Sequence, residues 1–315
     1  MKTLIVVLGP TGVGKTALCL HLAKRYAAHI ISADSRQMFA QLPIGTAAAT
    51  PEEQQQATHH FVGHLKLDEY YSASCFETDT LALLAQMVSN LLVVLCSAQL
   101  FANGNVALMT GGSMMYIDAV CYGIDDIPTV DDDTRQHVKQ LLEQQGLPAL
   151  VEMLKQLDPE HYDFVDKQNP RRVCHALEIC LMTGNTYTSY RKKERKQRPF
   201  NIIKIGLNRP REEMYNRINQ RVLQMMANGL EEEARRVYPL RGLNSLNTVG
   251  YKELFAHFDG TIPLEEAVRQ IQSNTRRYMR KQLTWFKKDP EIKWFYPDNT
   301  EEITNYIDSF VGITD

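Results

Sequence analysis

A glycine-rich segment near the beginning of the chain constrains its fold more than any other feature. It follows the apolar run Thr3 to Leu8, opens a helical pattern that extends to Ala27, and reads Gly9-Pro10-Thr11-Gly12-Val13-Gly14-Lys15-Thr16. An apolar run without polar alternation is typical of a parallel strand buried on both faces. The spacing G-x-x-x-x-G-K-[ST] between a strand and a helix is that of a P-loop, whose backbone N–H groups surround phosphate oxygens. We therefore predict a phosphorylated ligand, with Lys15 on its terminal oxygens and the Thr16 hydroxyl on Mg²⁺.

The composition excludes several classes of protein. Hydrophobic residues make up 44% and charged residues 23% of the 315 residues, which excludes wholesale disorder. A formal net charge of −2 excludes a generally basic DNA-coating protein, although it allows a local basic face. Six cysteines without C-x-x-C spacing predict reduced thiols. With no signal peptide or membrane-length apolar run in the sequence, we expect a cytoplasmic protein that does not associate with membranes.

The order of the predicted elements indicates the architecture. Further strands are predicted at Ile30 to Ser32, Val106 to Thr110 and Asn201 to Gly206, and a helical pattern covers residues 76–103. Residues 131–195 carry helical patterns without a convincing strand. The predicted fold class is therefore α/β, a P-loop NTPase-like parallel sheet flanked by helices. We expect a catalytic core of residues 1–120 and 199–315, with an inserted all-helical domain at residues 121–198.

A second acidic group beside the P-loop would narrow the chemistry. The strand that ends at Thr110 continues into Gly111-Gly112-Ser113 and offers no acid, whereas Asp34 ends the short second strand. Asp34 could hold Mg²⁺ through water or act as a general base on a nucleophile. An aspartate at the end of a strand can also simply cap the next turn, so both interpretations stay open from these residues alone.

Further motifs follow in a fixed order along the chain. They are Gly9–Thr16, Ser32-Ala-Asp34-Ser35-Arg36-Gln37, Ile44-Gly-Thr-Ala47, His59-His60, Tyr71-Ser72, Gly111-Gly112-Ser113, Asn169-Pro-Arg-Arg172 and Val249-Gly-Tyr-Lys252. In this order the set resembles the bacterial tRNA dimethylallyltransferases, and the resemblance extends from residue 4 to about residue 286. One departure is Ala48-Ala49, where the family usually has Lys-Pro, so a cation is missing near the substrate tunnel.

The resemblance implies a reaction and roles for particular residues. The P-loop would hold dimethylallyl diphosphate, and the dimethylallyl group would pass to N6 of the adenosine on the 3′ side of a tRNA anticodon. The tRNAs would be those that read codons beginning with U. Asp34 would be the general base, and Arg221 would hold the diphosphate together with Lys15, Thr16 and a Mg²⁺ cofactor. We also expect a monomer without an obligatory protein partner.

The resemblance further implies contacts with the tRNA anticodon stem-loop, some of them from the helical insertion. The residues expected to lie against the target nucleotide are Asp34, Ser35, Arg36, Gln37, Ser113 and Arg135. The residues expected to grip the stem-loop are Arg171, Arg172, Val173, Cys174, His175, Asn247, Thr248, Val249, Gly250, Tyr251 and Lys252. At His175 and Asn247 the family often has basic residues.

Two basic stretches favour an RNA-binding surface. Arg191 to Arg198 contains six basic residues and one acid, and Arg269 to Lys288 contains seven basic residues and no acid. We expect Tyr278 and Trp285 on the second stretch to lie in the core.

Three other functions are compatible with a P-loop. They are a small-molecule kinase or NTPase, an RNA-binding protein with a relic P-loop, and an isopentenyltransferase that uses free adenine nucleotides. The missing acid after Thr110 counts against the first, and the intact Lys15, Thr16 and Asp34 count against the second. The helical insertion and the basic stretches count against the third.

Overall fold

The chain folds into two compact units. The computed structural model describes residues 2–86, 105–192 and 194–312. One unit comprises Met1–Cys121 and Arg198–Asp315, and the other comprises Tyr122–Gln197. None of the helices in the described ranges combines the length and the apolar character that crossing a bilayer requires.

A single parallel sheet organises the first unit. In the described residues it has six strands in the order β3-β2-β4-β1-β5-β6, and every pairing is parallel. The strands are β1 Thr3–Leu8, β2 Ile30–Ala33, β3 His59–His60, β4 Val106–Gly111, β5 Asn201–Leu207 and β6 Ile292–Phe295. Strand β1 lies between β4 and β5, and helices pack on the sheet, so each residue of β1 is buried. This burial explains its largely apolar sequence.

Helices flank this sheet and make up the second unit. In chain order they are α1 Lys15–Tyr26, α2 Pro43–Thr46, α3 Pro51–Gln56, α4 Ala73–Gln86, α5 Met114–Tyr122, α6 Asp132–Leu157, α7 Pro159–Phe164, α8 Pro170–Thr183, α9 Tyr187–Tyr190, α10 Arg211–Ala227, α11 Leu230–Val237, α12 Tyr251–Phe258, α13 Leu264–Phe286 and α14 Thr300–Val311. The predicted fold class, a parallel α/β sheet flanked by helices, is therefore confirmed.

The core of the first unit joins the sheet to helices from both ends of the chain. Ile5 of β1 packs in one buried cluster with Leu22 of α1, Ile218 of α10 and Ile307 of α14. Such burial of aliphatic side chains is the main source of folding free energy. The helices that approach the P-loop are therefore fixed by the same core as the strand before it.

In its described residues the second unit contains helices joined by loops and no strand. Its core forms where Val138 and Leu154 of α6 pack against Val173 and Leu177 of α8. Helix α6 is interrupted at Gly146, whose backbone is not helical. Side chains cap the helix starts, as where the Asp131 carboxylate accepts a hydrogen bond of 2.7 Å from the Thr134 N–H.

Several elements differ from the sequence prediction. The helix predicted over residues 76–103 is observed as α4 up to Gln86, and residues 87–104 lie outside the described residues. The prediction also missed β3 and β6, the two edge strands, which have only two and four residues. The two residues of β3 are too few to show any periodicity. In β6 the charged Lys293 interrupts the apolar residues, whereas the equally short β2 begins with two consecutive isoleucines.

Candidate active site

The carboxyl ends of the parallel strands bring three loops together. Leu8, the last residue of β1, is in register with Gly111 of β4, and Ala33, the last residue of β2, is in register with the same glycine. The P-loop, Asp34 and the turn after Gly111 therefore begin at one edge of the sheet, which is where ligands of open α/β sheets bind. This edge of the sheet is the candidate active site.

The P-loop has a backbone conformation suited to an anion. Gly14 precedes the first residue of α1 with φ 112°, a left-handed value that favours glycine. The ammonium group of Lys15 donates hydrogen bonds to the carbonyl oxygens of Gly9 at 2.9 Å and Pro10 at 3.1 Å. The lysine is thus held over the loop and can turn toward a phosphate group. Thr16 follows it and is exposed.

Three charged side chains influence one another beside this loop. Burial and the positive charge of Arg221 lower the pKa of Lys15 to about 8, and Asp34 opposes this effect. Burial also lowers the pKa of Arg221, where Asp34 again opposes the shift and Arg217 adds to it. Two partly desolvated cations that repel each other will gain free energy when an anion such as a diphosphate binds between them.

Two further arginines hold the P-loop in place. The Nε of Arg217 donates to the carbonyl of Gly12 at 2.9 Å, and the Nε of Arg209 donates to the carbonyl of Val13 at 3.0 Å. The buried guanidinium of Arg209 is also paired with Asp298. Sequence reasoning did not single out Arg209. Its position just after a predicted strand beside the P-loop strand is the signal that could have found it.

Asp34 both caps a turn and offers a free carboxylate oxygen. Its Oδ1 accepts hydrogen bonds from the backbone N–H of Arg36 at 2.9 Å and of Gln37 at 3.4 Å. Among the described residues, none donates a hydrogen bond to its Oδ2. The interpretation of Asp34 as a strand-end cap is therefore correct, and the second oxygen can still accept a proton.

Residues predicted to meet the target nucleotide lie around Asp34. The backbone N–H of Ser35 donates to the Ser113 Oγ at 2.8 Å. The Gln37 side-chain nitrogen donates to the carbonyls of Thr46 at 3.2 Å and Ala47 at 3.0 Å. The structure thus brings Ser35, Gln37 and Ser113 together with Asp34, whereas Arg135 belongs to the second unit.

The prediction that Tyr251 contacts RNA is wrong. Tyr251 is 0% exposed, and its hydroxyl donates to the buried Glu233 carboxylate at 2.6 Å. The same carboxylate accepts from the backbone N–H groups of Ile44 at 2.9 Å and Gly45 at 2.8 Å. Tyr251 therefore helps to fix α2, which contains Ile44 and Gly45. Gly250 is also buried, whereas Lys252 is exposed and Asn247, Thr248 and Val249 are half-buried.

In the second unit the predicted RNA contacts lie near the start of α8. Arg171, Arg172 and His175 are exposed there and Cys174 is half-buried. Val173 is 0% exposed and packs in the core of this unit, so its predicted RNA contact is wrong. On an amphipathic helix a run of five consecutive positions cannot all face solvent, which is the physical reason. Arg135 is half-buried on α6.

The two basic stretches differ in what their charges do. Arg198 is buried and pairs with Glu77 at 2.7 Å, so this arginine is structural. Lys196 pairs with Asp126 at 2.9 Å, and Lys193 lies outside the described residues. The first stretch therefore offers less free charge than its composition indicates.

The second stretch, on α13, forms an exposed basic groove. A surface groove of about 430 Å³ is lined by Met114, Arg277, Arg280, Lys281, Thr284, Trp285 and Lys288. Trp285 is 39% exposed and Tyr278 is 38% exposed, so the prediction that they lie in the core is wrong. The indole N–H of Trp285 donates to Asp118 at 2.8 Å, which holds the ring at the edge of the groove.

The oxygen donors near the P-loop fit a magnesium ion. Thr16 supplies a hydroxyl and Asp34 a carboxylate, which are ligand types that Mg²⁺ prefers. No group of three or more His, Cys, Asp or Glu side chains that could hold a metal ion occurs in the residues that the structure describes. Mg²⁺ commonly binds through one or two protein groups together with waters and substrate phosphates, so a hydroxyl and a carboxylate fit it.

Known proteins share both the sequence and the architecture. The family model described as IPP transferase matches residues 37–289. The chain is 57% identical over 307 residues to tRNA dimethylallyltransferase 1 of Phocaeicola vulgatus, with 98% of each chain covered. It is 46% identical over 310 residues to the tRNA dimethylallyltransferase of Christiangramia forsetii, again with 98% of each covered.

Solved structures agree with this similarity. The full-length tRNA isopentenylpyrophosphate transferase from Bacillus halodurans superimposes with a TM-score of 0.69 and 32% identity, covering 99% of this chain and 97% of that one. A eukaryotic dimethylallyltransferase acting on tRNA, at 22% identity and a TM-score of 0.77, covers 94% of this chain and 74% of its own and shares the fold. Together with the matched family model and the close relatives, the P-loop and its surrounding charges show that the chain belongs to the IPP transferase family.

Proposed function

We propose that this chain transfers the dimethylallyl group of dimethylallyl diphosphate to N6 of the adenosine on the 3′ side of the anticodon in tRNAs that read codons beginning with U. The observation that carries the proposal is the juxtaposition of two cations, Lys15 and Arg221, with the carboxylate of Asp34. The names of the close relatives support the same activity. A kinase would also use the P-loop, but the end of β4 offers it no acid.

The proposed chemistry is a substitution at the allylic carbon. The N6 nitrogen forms a bond to the first carbon of the dimethylallyl group while the bond from that carbon to the diphosphate oxygen breaks. The leaving diphosphate keeps the electron pair, and Lys15, Arg221 and the P-loop amides stabilise its growing negative charge. The proton of N6 passes to the free Oδ2 of Asp34. Mg²⁺, held by the Thr16 hydroxyl and through a water molecule by Asp34, would supply further positive charge to the diphosphate.

The anticodon stem-loop would bind to exposed cations. Arg277, Arg280 and Lys281 line the groove on α13, and Arg171 and Arg172 are exposed in the second unit. Contacts of this kind bind phosphates and are independent of base sequence. The target adenosine has to leave its stack to reach Asp34, where Ser35, Gln37 and Ser113 lie.

A transfer assay tests the proposal directly. Radiolabelled dimethylallyl diphosphate is incubated with unmodified tRNA and Mg²⁺, beside an ATP hydrolysis control. We expect label in the tRNA that disappears when the adenosine next to the anticodon is replaced. ATP turnover without labelled tRNA would instead support the kinase. Chromatography of the active sample would test the predicted monomer.

The pH dependence of the reaction should report on Lys15. Its pKa of about 8 means that the ammonium loses its proton as the pH rises through that value, so diphosphate binding weakens. We expect kcat/KM for dimethylallyl diphosphate to fall on the alkaline side with a midpoint near that pKa, because this ratio reports the free enzyme. Lys15→Arg keeps the charge and should remove the alkaline fall. An unchanged alkaline fall in Lys15→Arg would assign it to another group.

Charge reversal in the groove on α13 should weaken tRNA binding. Arg277 is exposed on α13, and its replacement by glutamate should lower tRNA affinity and reduce the salt slope by about one per lost phosphate contact. Titration of tRNA at several salt concentrations measures both quantities. Lys24→Glu, an equal reversal at an exposed position on α1, is the matched control. Equal titrations for Arg277→Glu and Lys24→Glu would show that the groove does not bind RNA.

A further inference from the structure

We propose that Gln282 is a positioning residue that holds the P-loop at a fixed distance from the loop that carries Asp34. This inference rests on the proposed prenyl transfer, in which the diphosphate on one loop and the proton acceptor on the other must keep a set separation. Gln282 lies on α13, far from both loops in sequence, and is an uncharged residue within the second basic stretch.

The side-chain amide of Gln282 bridges two loops. Gln282 is 1% exposed. Its Oε1 accepts a hydrogen bond of 2.9 Å from the backbone N–H of Thr11 in the P-loop. Its Nε2 donates a hydrogen bond of 2.8 Å to the backbone carbonyl of Gly112. One buried group therefore ties the end of β1 to the end of β4.

The bridge continues to Asp34 through Ser113. The Ser113 backbone N–H donates to the carbonyl of Ala33 at 3.2 Å, and its Oγ accepts from the N–H of Ser35 at 2.8 Å. These two contacts lie on either side of Asp34 in sequence. A shift of the turn at Gly112 would therefore move the carboxylate relative to the P-loop.

The local packing fits the side chain tightly. A Cβ atom on Gly112 would overlap the Nε2 of Gln282, so glycine is required for this close approach. A buried amide is costly to desolvate unless both of its ends are hydrogen-bonded, and an aliphatic residue would avoid that cost. The amide is therefore best explained by its ability to accept from one loop and donate to the other.

Two variants of Gln282 separate this role from simple packing. Gln282→Met has a similar length, but its thioether cannot donate to Gly112 and is only a weak acceptor for Thr11. We expect its kcat at saturating substrates to fall roughly tenfold to hundredfold, because small misplacements of reacting groups have effects of that size. The KM for tRNA should stay unchanged. Gln272→Met is the matched control, since Gln272 lies on the same helix and donates instead to the carbonyl of Asn219 at 3.3 Å.

Gln282→Glu adds a signature that packing alone cannot produce. A carboxylate can accept from Thr11 but cannot donate to Gly112, whereas the protonated acid can do both. Burial raises the pKa of a glutamate, so protonation becomes accessible as the pH falls from about 8 to about 6. We therefore compare the activity of Gln282→Glu with that of the unaltered chain at the same pH. We expect the ratio of the two activities to increase as the pH is lowered over this range. This variant also carries the test if Gln282→Met does not fold.

The outcomes distinguish the two proposals. If the unaltered chain transfers no label, the proposed function fails. If it transfers label and Gln282→Met keeps its kcat with only a lower melting temperature, Gln282 is a packing residue and the positioning role is overturned. The positioning role would also be overturned if the activity of Gln282→Glu relative to the unaltered chain did not change with pH.

Discussion

Asp34→Asn should lower the rate of prenyl transfer by about 10²- to 10⁴-fold, the range of general-base contributions, while tRNA affinity stays nearly unchanged. Asparagine keeps the oxygen that caps the turn at Arg36, so the loop geometry should survive. What it loses is the carboxylate oxygen that none of the described residues engages and that would take the N6 proton. Single-turnover transfer with pre-bound tRNA measures the rate, and a binding titration measures the affinity.

Two comparisons make the Asp34 experiment decisive. Asp68→Asn removes an exposed carboxylate from the same unit and should leave the rate unchanged. If Asp34→Asn retained the rate of the unaltered chain, the proton would leave by another route. Asp34 would then be only the cap that its hydrogen bonds describe.

Arg221→Gln should give the second largest loss, roughly 10²- to 10³-fold in kcat, as expected when one donor to a developing negative charge is removed. The positive charge of Arg221 lowers the pKa of Lys15, and the charge of Asp34 acts in turn on Arg221. Arg221 is partly desolvated, and a charge has a stronger effect in such a setting than in water. The KM for dimethylallyl diphosphate should also rise. Steady-state kinetics at saturating tRNA measure both parameters.

Arg217→Gln is the natural comparison for Arg221→Gln. Arg217 lies four residues earlier on the same face of α10, but it is exposed and donates to the carbonyl of Gly12. Its loss should disturb the P-loop backbone without removing the buried charge, so a smaller effect on kcat is expected. Equal losses in the two variants would mean that this face of α10 supports the loop and that Arg221 has no special role.

The sequence predicts those parts of the site that local pattern determines. The buried strand, the glycine spacing and Lys15 lie within a few residues of one another, so the P-loop can be identified from a short stretch of sequence. The place of Asp34 in the site can be predicted because the carboxyl ends of parallel strands meet at one edge of the sheet. Arg209 also follows the end of a strand, β5, so its position carries the same signal as that of Asp34.

Contacts between distant segments could not be predicted in this way. Gln282 meets Thr11 across 271 residues, and Glu233 meets Ile44 across 189. A motif shared with a family also does not tell which of its side chains point inward, which explains the error at Tyr251. The edge strand β3 has too few residues to show a pattern, and Lys293 interrupts the apolar residues of the edge strand β6.

The two ends of the helical unit adjoin each other, which bears on how such a chain could arise. Within that unit the Lys196 N–H donates to the carbonyl of Tyr122 at 2.8 Å. In the first unit the Arg198 side chain donates to the carbonyls of Ala119 and Val120, both at 2.7 to 2.8 Å. The chain therefore leaves the first unit and returns to it at neighbouring points. The pairing of β4 and β5 with β1 involves no residue of the helical unit.

A segment whose two ends lie side by side is an insertion that takes no part in the strand pairing of the sheet. It can be gained, lost or exchanged during evolution without altering the order of the strands or the residues around the P-loop. Substitutions within the helical unit can then accumulate separately from substitutions around the P-loop.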